Sequence, residues 1–231
     1  MAIARAHGLA VIEDAAQSMG AQWAGQEIGR SGDLVSFSFH ANKNMTTTEG
    51  GCLVLRTEDE AQRFEKLRLQ GVARFADGSM DVEAWGGKAN LTDVAAAIGL
   101  GQLKRLDEFN ARRRVLAQRY FECFPQELGF ELPPADFEHS NWHMFQIILP
   151  LQSLGKTRSQ VMLALKELGI GTGVHYPIIT NFELYRRLGY SPDSTPIAAE
   201  IGRSILTLPL FPSMSTADID RVISGLEVVL A

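Results

Sequence analysis

The sequence is poor in several features that would assign a chain to a broad class. It has two cysteines, Cys52 and Cys123, in 231 residues. They lie far apart without metal-ligand spacing, so neither a disulfide framework nor a zinc site is indicated, and a reducing cytoplasm is the simplest compartment. No apolar run approaches the roughly 18–20 residues of a membrane span. The opening Met1-Ala2-Ile3-Ala4-Arg5-Ala6-His7 lacks the apolar stretch of a secretory signal, so the chain reads as soluble and intracellular. Positive charge is not in excess. With 22 Lys and Arg against 27 Asp and Glu, the net charge of −5 gives no reason to expect nucleic acid or an anionic membrane. The five histidines show no H-E-x-x-H spacing, which argues against metal catalysis. No G-x-S-x-G, Walker loop or dinucleotide fingerprint is present, and no internal repeat.

What the chain does have is ordinary globular composition, 45% hydrophobic and 21% charged, and a length sufficient for one large domain or two small ones. Residues 1–7 read as the last turns of a helix, with Gly8 at the position where a left-handed conformation is cheap. Leu9-Ala10-Val11-Ile12 reads as a buried parallel strand that stops at Glu13-Asp14, placing a carboxylate at the strand's carboxyl end, where α/β sheets bind ligands. Residues 23–33, with Gly25, Gly29 and Gly32, read as a turn-rich ribbon. Residues 34–40 form the next strand, Phe37 and Phe39 on one face and Ser36, Ser38 and His40 on the other. Residues 51–55 form a third strand, and a helix follows over about 58–69. Residues 71–89, rich in glycine and carrying Trp85, read as a long ordered loop. Asn90-Leu91-Thr92-Asp93 offers capping groups to a long helical pattern through Val94, Ala97, Ile98, Gly101 and Leu106. Its basic run Arg112-Arg113-Arg114 reads as a solvated helix face.

Composition shifts after Pro125, and Pro133-Pro134 marks a boundary. Residues 142–150 form a strand of bulky side chains. Thr157-Arg158-Ser159-Gln160 has the form of a capping box opening a helix that ends at Gly169. Gly173-Val174-His175-Tyr176 reads as a strand stopped by Pro177, and Thr195-Pro196 starts another helix. Residues 205–209 read as a last strand. Ser215 caps a terminal helix with the apolar stripe Ile219, Val222, Ile223 and Leu226.

The chemistry gathers at Ser36-Phe37-Ser38-Phe39-His40-Ala41-Asn42-Lys43-Asn44, followed by Met45-Thr46-Thr47-Thr48-Glu49-Gly50-Gly51. A lysine in a turn between two strands, crowded by hydroxyls and amides, is a lysine held still. An aldehyde cofactor needs such an amine to hold it as an imine and to move protons at the substrate carbon. The ring of pyridoxal 5'-phosphate also needs a carboxylate against its nitrogen, because the protonated ring is the electron sink. Asp14 is placed for that, Gln17 for the phenolic oxygen and Ser38 for the phosphate. A second reading stands beside this one: Lys43 as a solvated loop lysine, Asp14 as a strand-end cap, and the threonines as a β-prone turn. His40 reads as a hydrogen-bonded structural histidine rather than a second base.

Val11-Ile12-Glu13-Asp14-Ala15-Ala16-Gln17-Ser18, then Ser36-Phe37-Ser38-Phe39-His40 with Lys43-Asn44, Thr46-Thr47 and Glu49-Gly50-Gly51, resembles the DegT/StrS-type sugar aminotransferases, which depend on pyridoxal phosphate. Asn90-Leu91-Thr92-Asp93, Trp142-His143, Gly171-Thr172-Gly173 with His175, and Leu208-Pro209-Leu210-Phe211-Pro212 extend the resemblance over nearly the whole chain. It implies an α/β chain of PLP fold type I, like aspartate aminotransferase. Residues 1–125 would be the remainder of the cofactor-binding large domain with a long connecting helix, and residues 126–231 a small α+β domain. It implies transfer of an amino group, commonly from glutamate, to a nucleotide-linked keto sugar. Lys43 would be the Schiff-base lysine, Asp14 the ring-nitrogen partner, Gln17 the phenolic-oxygen partner and Ser38 a phosphate contact. Asn90 would reach the phosphate in the partner subunit's site, which implies a homodimer. The Gly-Thr-Gly and Leu-Pro-Leu-Phe-Pro segments resemble most the 4-keto-pentose (aminoarabinose) branch. Residues 71–89 and His175-Tyr176 are expected to help choose the substrate.

Two departures from the family pattern matter. Thr48 stands where the family usually has glycine, which would distort the turn if a positive φ is needed there. The chain also begins where the family's large domain is already half built, leaving strand edges unpaired and implying weak cofactor binding by these 231 residues alone. Two other readings stay open: a non-catalytic fragment or remnant without the amino-terminal cofactor-binding half, and a sugar dehydratase of the same family, whose branch carries histidine in place of the lysine.

Overall fold

A computed structural model describes residues 1–30 and 33–230. Gly32, expected in the turn-rich ribbon, lies outside the described residues. The chain divides into two units, Met1–Asn110 with His139–Asn141, and Ala111–Glu138 with Trp142–Ala231. The division falls inside a continuous helix, earlier in the chain than the proline-marked boundary expected after residue 125.

In the first unit a short helix α1 (Ala2–Ala6) ends at Gly8, whose φ of 63° is the left-handed stop its sequence position suggests. β1 (Ile12–Asp14) follows, then a hairpin of β2 (Gln22–Trp23) and β3 (Gln26–Glu27) turning through Ala24 and Gly25, both at positive φ. β4 (Leu34–Ser38) pairs in parallel with β1 and antiparallel with β5 (Gly51–Val54), giving the sheet order β1-β4-β5. Among the described residues the ladder of β1 with β4 begins at Ile12 opposite Leu34, later than the start of the apolar run. The expected burial of this run is not seen: Ile12 is 72% exposed, since β1 is an edge strand among the described residues. The period-two pattern of β4 is realised. Val35, Phe37 and Phe39 are buried with Ala15, Met45 and Leu106, and Ser36 and Ser38 face the other way.

Helix α2 (Glu58–Leu67) is capped by Thr57, whose Oγ1 accepts from the Glu60 N–H. Residues 71–89, expected as a long ordered loop, are not loop throughout. They contain the antiparallel hairpin of β6 (Val72–Arg74) and β7 (Met80–Val82), and Asp77-Gly78 supplies its turn. That dipeptide is a hairpin signal that the glycine-rich surroundings hide. Thr92 caps α3 (Asp93–Leu103), accepting from the Ala95 N–H at 3.2 Å. The helical pattern is broken at Lys104-Arg105 before α4 (Leu106–Cys123) begins. The face of α3 expected to be inward, with Val94, Ile98 and Gly101, is exposed; Gly99 is its buried residue.

The second unit takes α4 from Ala111 onward. It continues with β8 (Phe145–Ile148), α5 (Leu151–Leu154), α6 (Arg158–Glu167), α7 (Glu183–Arg187), α8 (Pro196–Ser204), β9 (Ile205–Leu208) and α9 (Thr216–Leu230). β8 and β9 form an antiparallel pair with Phe145 opposite Leu208. The capping box at Thr157 and Gln160 forms in both directions, and Gly169 ends the helix at a φ of 74°. On α9 the whole stripe Ile219, Val222, Ile223 and Leu226 is buried, against a core that includes Phe145, Ile147, Val161 and Leu165. The segment 173–176 is reduced from a strand to one bridge, Gly173 with Thr207.

One expectation is overturned here. Arg113 is not on a solvated face: it is 5% exposed, and its Nη1 donates to the main-chain oxygens of Trp142 (3.4 Å), His143 (3.1 Å) and Leu210 (2.7 Å). Charge alone could not show that three carbonyls would surround one guanidinium. Burial pushes its pKa down to about 10, so it stays charged at neutral pH.

Candidate active site

The candidate site is built at the carboxyl ends of the parallel pair β1 and β4. Asp14 pairs with Ser36, and Ser38 lies two residues further along β4, so Asp14, Ser36 and Ser38 share the face opposite the buried Phe37. Past Asp14 the chain turns sharply. The Ala16 N–H donates to Asp14 Oδ1 (3.1 Å), the Ala15 N–H to Ser36 O (2.9 Å), and the Ser18 N–H to Ala15 O (2.9 Å). This turn carries Gln17, half-buried, with its carbonyl accepting from Asn141 Nδ2 at 2.8 Å.

At the end of β4, Ser38 Oγ accepts from the His40 N–H at 3.2 Å, and the Lys43 N–H donates to His40 O at 3.0 Å. His40 Nδ1 stands 2.8 Å from Asn42 Oδ1, in keeping with a structural role. The threonines that follow bond to backbone. Thr46 Oγ1 donates to Phe39 O (3.0 Å) and accepts from the Thr48 N–H (2.8 Å); Thr47 Oγ1 donates to Glu49 O (2.8 Å). The return to β5 is sealed where the Phe39 N–H donates to Gly50 O at 2.8 Å. A Cβ on Gly50 would stand 2.9 Å from Leu91 Cδ1, so the segment carrying Asn90 packs directly on this turn. Asn90 is half-buried and its Nδ2 lies 3.5 Å from Leu91 O. Thr48 sits at a φ of 71°, the left-handed region that suits glycine.

Asp14, Gln17, Ser38 and Lys43 therefore come from two adjacent strand ends, while Asn90 arrives from the approach to α3. Sequence reasoning missed three buried amides behind them, Asn44, Asn110 and Asn141. Asn44 follows Lys43 directly, but its partners lie 66 and 97 residues away, beyond any local pattern.

The donor set suits pyridoxal phosphate. Among the described residues the Lys43 amine makes no hydrogen bond or ion pair, and the Asp14 carboxylate has no cationic partner. An amine without a bond and a carboxylate without a cationic partner, at the carboxyl end of a sheet, are what the aldehyde and the ring nitrogen require. Among the described residues no group of three or more His, Cys, Asp or Glu is gathered so as to hold a metal ion.

A model of the DegT/DnrJ/EryC1/StrS aminotransferase family matches residues 1–227. The chain belongs to this family. The spore coat polysaccharide biosynthesis protein SpsC of Bacillus subtilis (strain 168) is 38% identical over 244 residues, covering 100% of this chain and 62% of SpsC. Among solved structures, the PMP form of the putative sugar aminotransferase Spr1654 from Streptococcus pneumoniae is similar with a TM-score of 0.87 and 28% identity, over 96% of this chain and 59% of that one. DesI, solved in the presence of its TDP-sugar product, is similar with a TM-score of 0.86 and 30% identity, over 98% of this chain and 57% of DesI. The fold is that of the PLP fold type I aminotransferases, as the sequence resemblance implies. The chain spans about three fifths of the length of these DegT/DnrJ/EryC1/StrS relatives. Among the described residues no helix is long and apolar enough to cross a membrane.

Proposed function

We propose that this chain carries the lysine-bearing part of a pyridoxal-phosphate-dependent sugar aminotransferase, which moves an amino group from an amino acid, glutamate by preference, to a nucleotide-linked keto sugar. The observation that carries the reading is the uncommitted Lys43 in the turn after β4, beside the strand end that bears Asp14, in a chain of this family. The TDP-sugar product of DesI supports a nucleotide-linked substrate, and the name of SpsC supports a place in polysaccharide synthesis.

Pyridoxal phosphate, when bound, supplies an aldehyde that takes up amino groups and a ring that accepts electrons from the carbon losing its proton. Lys43 Nζ would hold the cofactor and act as the base that removes the α-proton of the amino acid in one half-reaction and, in the other, as the acid that supplies a proton to the sugar carbon being aminated. The Asp14 carboxylate would hold the ring nitrogen in its protonated form. Gln17 would serve the phenolic oxygen, and the Ser38 hydroxyl the phosphate. Asn90 serves the site of a second copy in a homodimer. The amino acid leaves as its 2-keto acid, so nitrogen and oxygen exchange between the two substrates. Residues 1–125 serve as the cofactor-binding part and 126–231 as the small domain, in a cytoplasmic enzyme.

Titration of the purified chain with pyridoxal phosphate tests the reading. A new visible absorbance band is expected, weaker in Asp14→Asn and absent in Lys43→Ala. A band unchanged in Lys43→Ala would remove Lys43 from its role.

A further inference from the structure

Behind the lysine turn, three buried side chains make a connected set of bonds. Asn44 Nδ2 donates to Asn110 Oδ1 at 2.8 Å and to the main-chain oxygen of Asn141 at 2.9 Å. Asn141 Nδ2 donates to the main-chain oxygens of Gln17 (2.8 Å) and Met19 (3.0 Å), and Asn110 Nδ2 donates to Met19 O at 3.3 Å. Asn44, Asn110 and Asn141 are 5%, 7% and 6% exposed. The set therefore runs from the residue next to Lys43 to the main chain of Gln17 itself, through a helix and a segment distant in sequence.

We propose that the amide cluster of Asn44, Asn110 and Asn141 is the positioning device of the site, fixing the Lys43 turn against residues 17–19 so that the spacing of Lys43 from Asp14 and Gln17 is set before any ligand binds. The chemistry of the amide explains the choice. Apolar packing is non-directional and lets two loops slide, whereas hydrogen bonds fix distance and angle together. An amide donates and accepts at once, so each asparagine can link two neighbours, and it does so without a buried charge. Once buried, such a set resists partial opening, because every broken bond leaves a polar group without water. With Asn44 fixed, Lys43 retains little freedom beyond its own side-chain torsions. Preorganisation of this kind is what an amine that must meet one atom requires. The three asparagines are positioning residues; none is assigned contact with cofactor or substrate. Their value for catalysis rests on the aminotransferase reading, but the mechanical tie does not.

The test is amide hydrogen exchange on the purified chain without cofactor, comparing wild type with Asn44→Ala. Exchange is expected to rise together in residues 42–47 and residues 17–21, by about tenfold or more, the factor that corresponds to about 1.4 kcal/mol. Exchange in β8 and β9 should stay as in wild type. A rise confined to residues 42–47, a rise spread over the whole chain, or no rise would overturn the tie. Should Asn44→Ala fail to fold, Asn141→Ser, which keeps the main-chain acceptor, is read by the same criteria. A second readout follows the pH midpoint of the absorbance of added pyridoxal phosphate. It should move in Asn44→Ala and stay in place in Ile219→Ala, a core variant of the other unit; movement in both, or in neither, counts against positioning. If wild type takes up no pyridoxal phosphate, the aminotransferase reading fails while the exchange result still decides the tie.

Discussion

Thr47 Cγ2 stands 2.8 Å from the position that a Cβ on Gly99 would take, so helix α3 meets the lysine turn where one of its residues has no side chain. Thr47 is 1% exposed and held by its bond to Glu49 O, and a β-branched residue so fixed cannot swing aside. Gly101, two residues on and therefore on the far side of the helix, faces open space. The two glycines should therefore respond oppositely to alanine. Gly101→Ala should stabilise the chain by roughly 0.5–1 kcal/mol through helix propensity. Gly99→Ala should destabilise it by about 1–2 kcal/mol, the overpacking cost outweighing the same gain. Urea unfolding of both variants checks this; an equal gain in both would contradict the close contact.

Thr48 provides a second test of the same turn. Its φ of 71° places a β-branched residue in the left-handed region, at a cost of roughly 1–2 kcal/mol. Thr48→Gly removes that cost and adds back part of it as unfolded-chain entropy, so a net gain of about 0.5–1 kcal/mol is expected. The midpoint of urea unfolding should rise, and a fall would mean that the threonine side chain contributes more than its backbone costs.

How much of this was legible in the sequence varied with the range of the interaction. Local signals translated directly: the capping box at Thr157 and Gln160, the left-handed stop at Gly169, the alternating faces of β4 and the buried stripe of α9 are all settled within a few residues. The lysine turn was legible as a place where hydroxyls would crowd a lysine, though their partners proved to be main-chain oxygens of the turn itself. What stayed hidden depends on distant partners. Arg113 looks like one of three solvated arginines until carbonyls 29 and 97 residues away are brought around it. Asn44 looks like a loop residue until Asn110 and Asn141 meet it.

Arg113 yields a third expectation. Its replacement by methionine keeps bulk and removes the donor to Trp142, His143 and Leu210, leaving buried carbonyls unpaired at a cost of about 2–4 kcal/mol. Arg113→Lys should rescue only in part, since an ammonium can also donate several bonds from one nitrogen, but its shorter stem sets that nitrogen short of the place Nη1 takes among the three carbonyls. Unfolding curves for the pair decide it: full rescue by lysine would show that charge alone matters there.

Acid sensitivity is expected at the start of α9. The Ser215 N–H and Oγ–H both donate to Asp218 Oδ2, at 2.7 and 2.8 Å, while Ser215 Oγ accepts from the Asp218 N–H at 3.2 Å. The main-chain bond from Ser215 first, and its hydroxyl second, hold the Asp218 carboxyl below its ordinary value. A carboxylate depressed on folding contributes stability that is complete above about pH 3.9 and is lost as the pH falls through the lower folded value. Asp218→Asn should therefore flatten the acid limb of thermal unfolding by lowering stability at neutral pH, where the carboxylate contributes in full, and by changing it least at the acid end, where that contribution is already lost. An unchanged acid limb would place the sensitivity elsewhere.

The central claim is that Lys43, among the six lysines Lys43, Lys66, Lys88, Lys104, Lys156 and Lys166, is the one that holds the cofactor. Incubating the chain with pyridoxal phosphate, reducing with borohydride and mapping the modified peptides by mass spectrometry addresses this directly. The account predicts a pyridoxyl group on Lys43, lost in Lys43→Ala without transfer to another lysine. Modification spread over the surface lysines, with Lys43 labelled no more than Lys66 or Lys104, would contradict it.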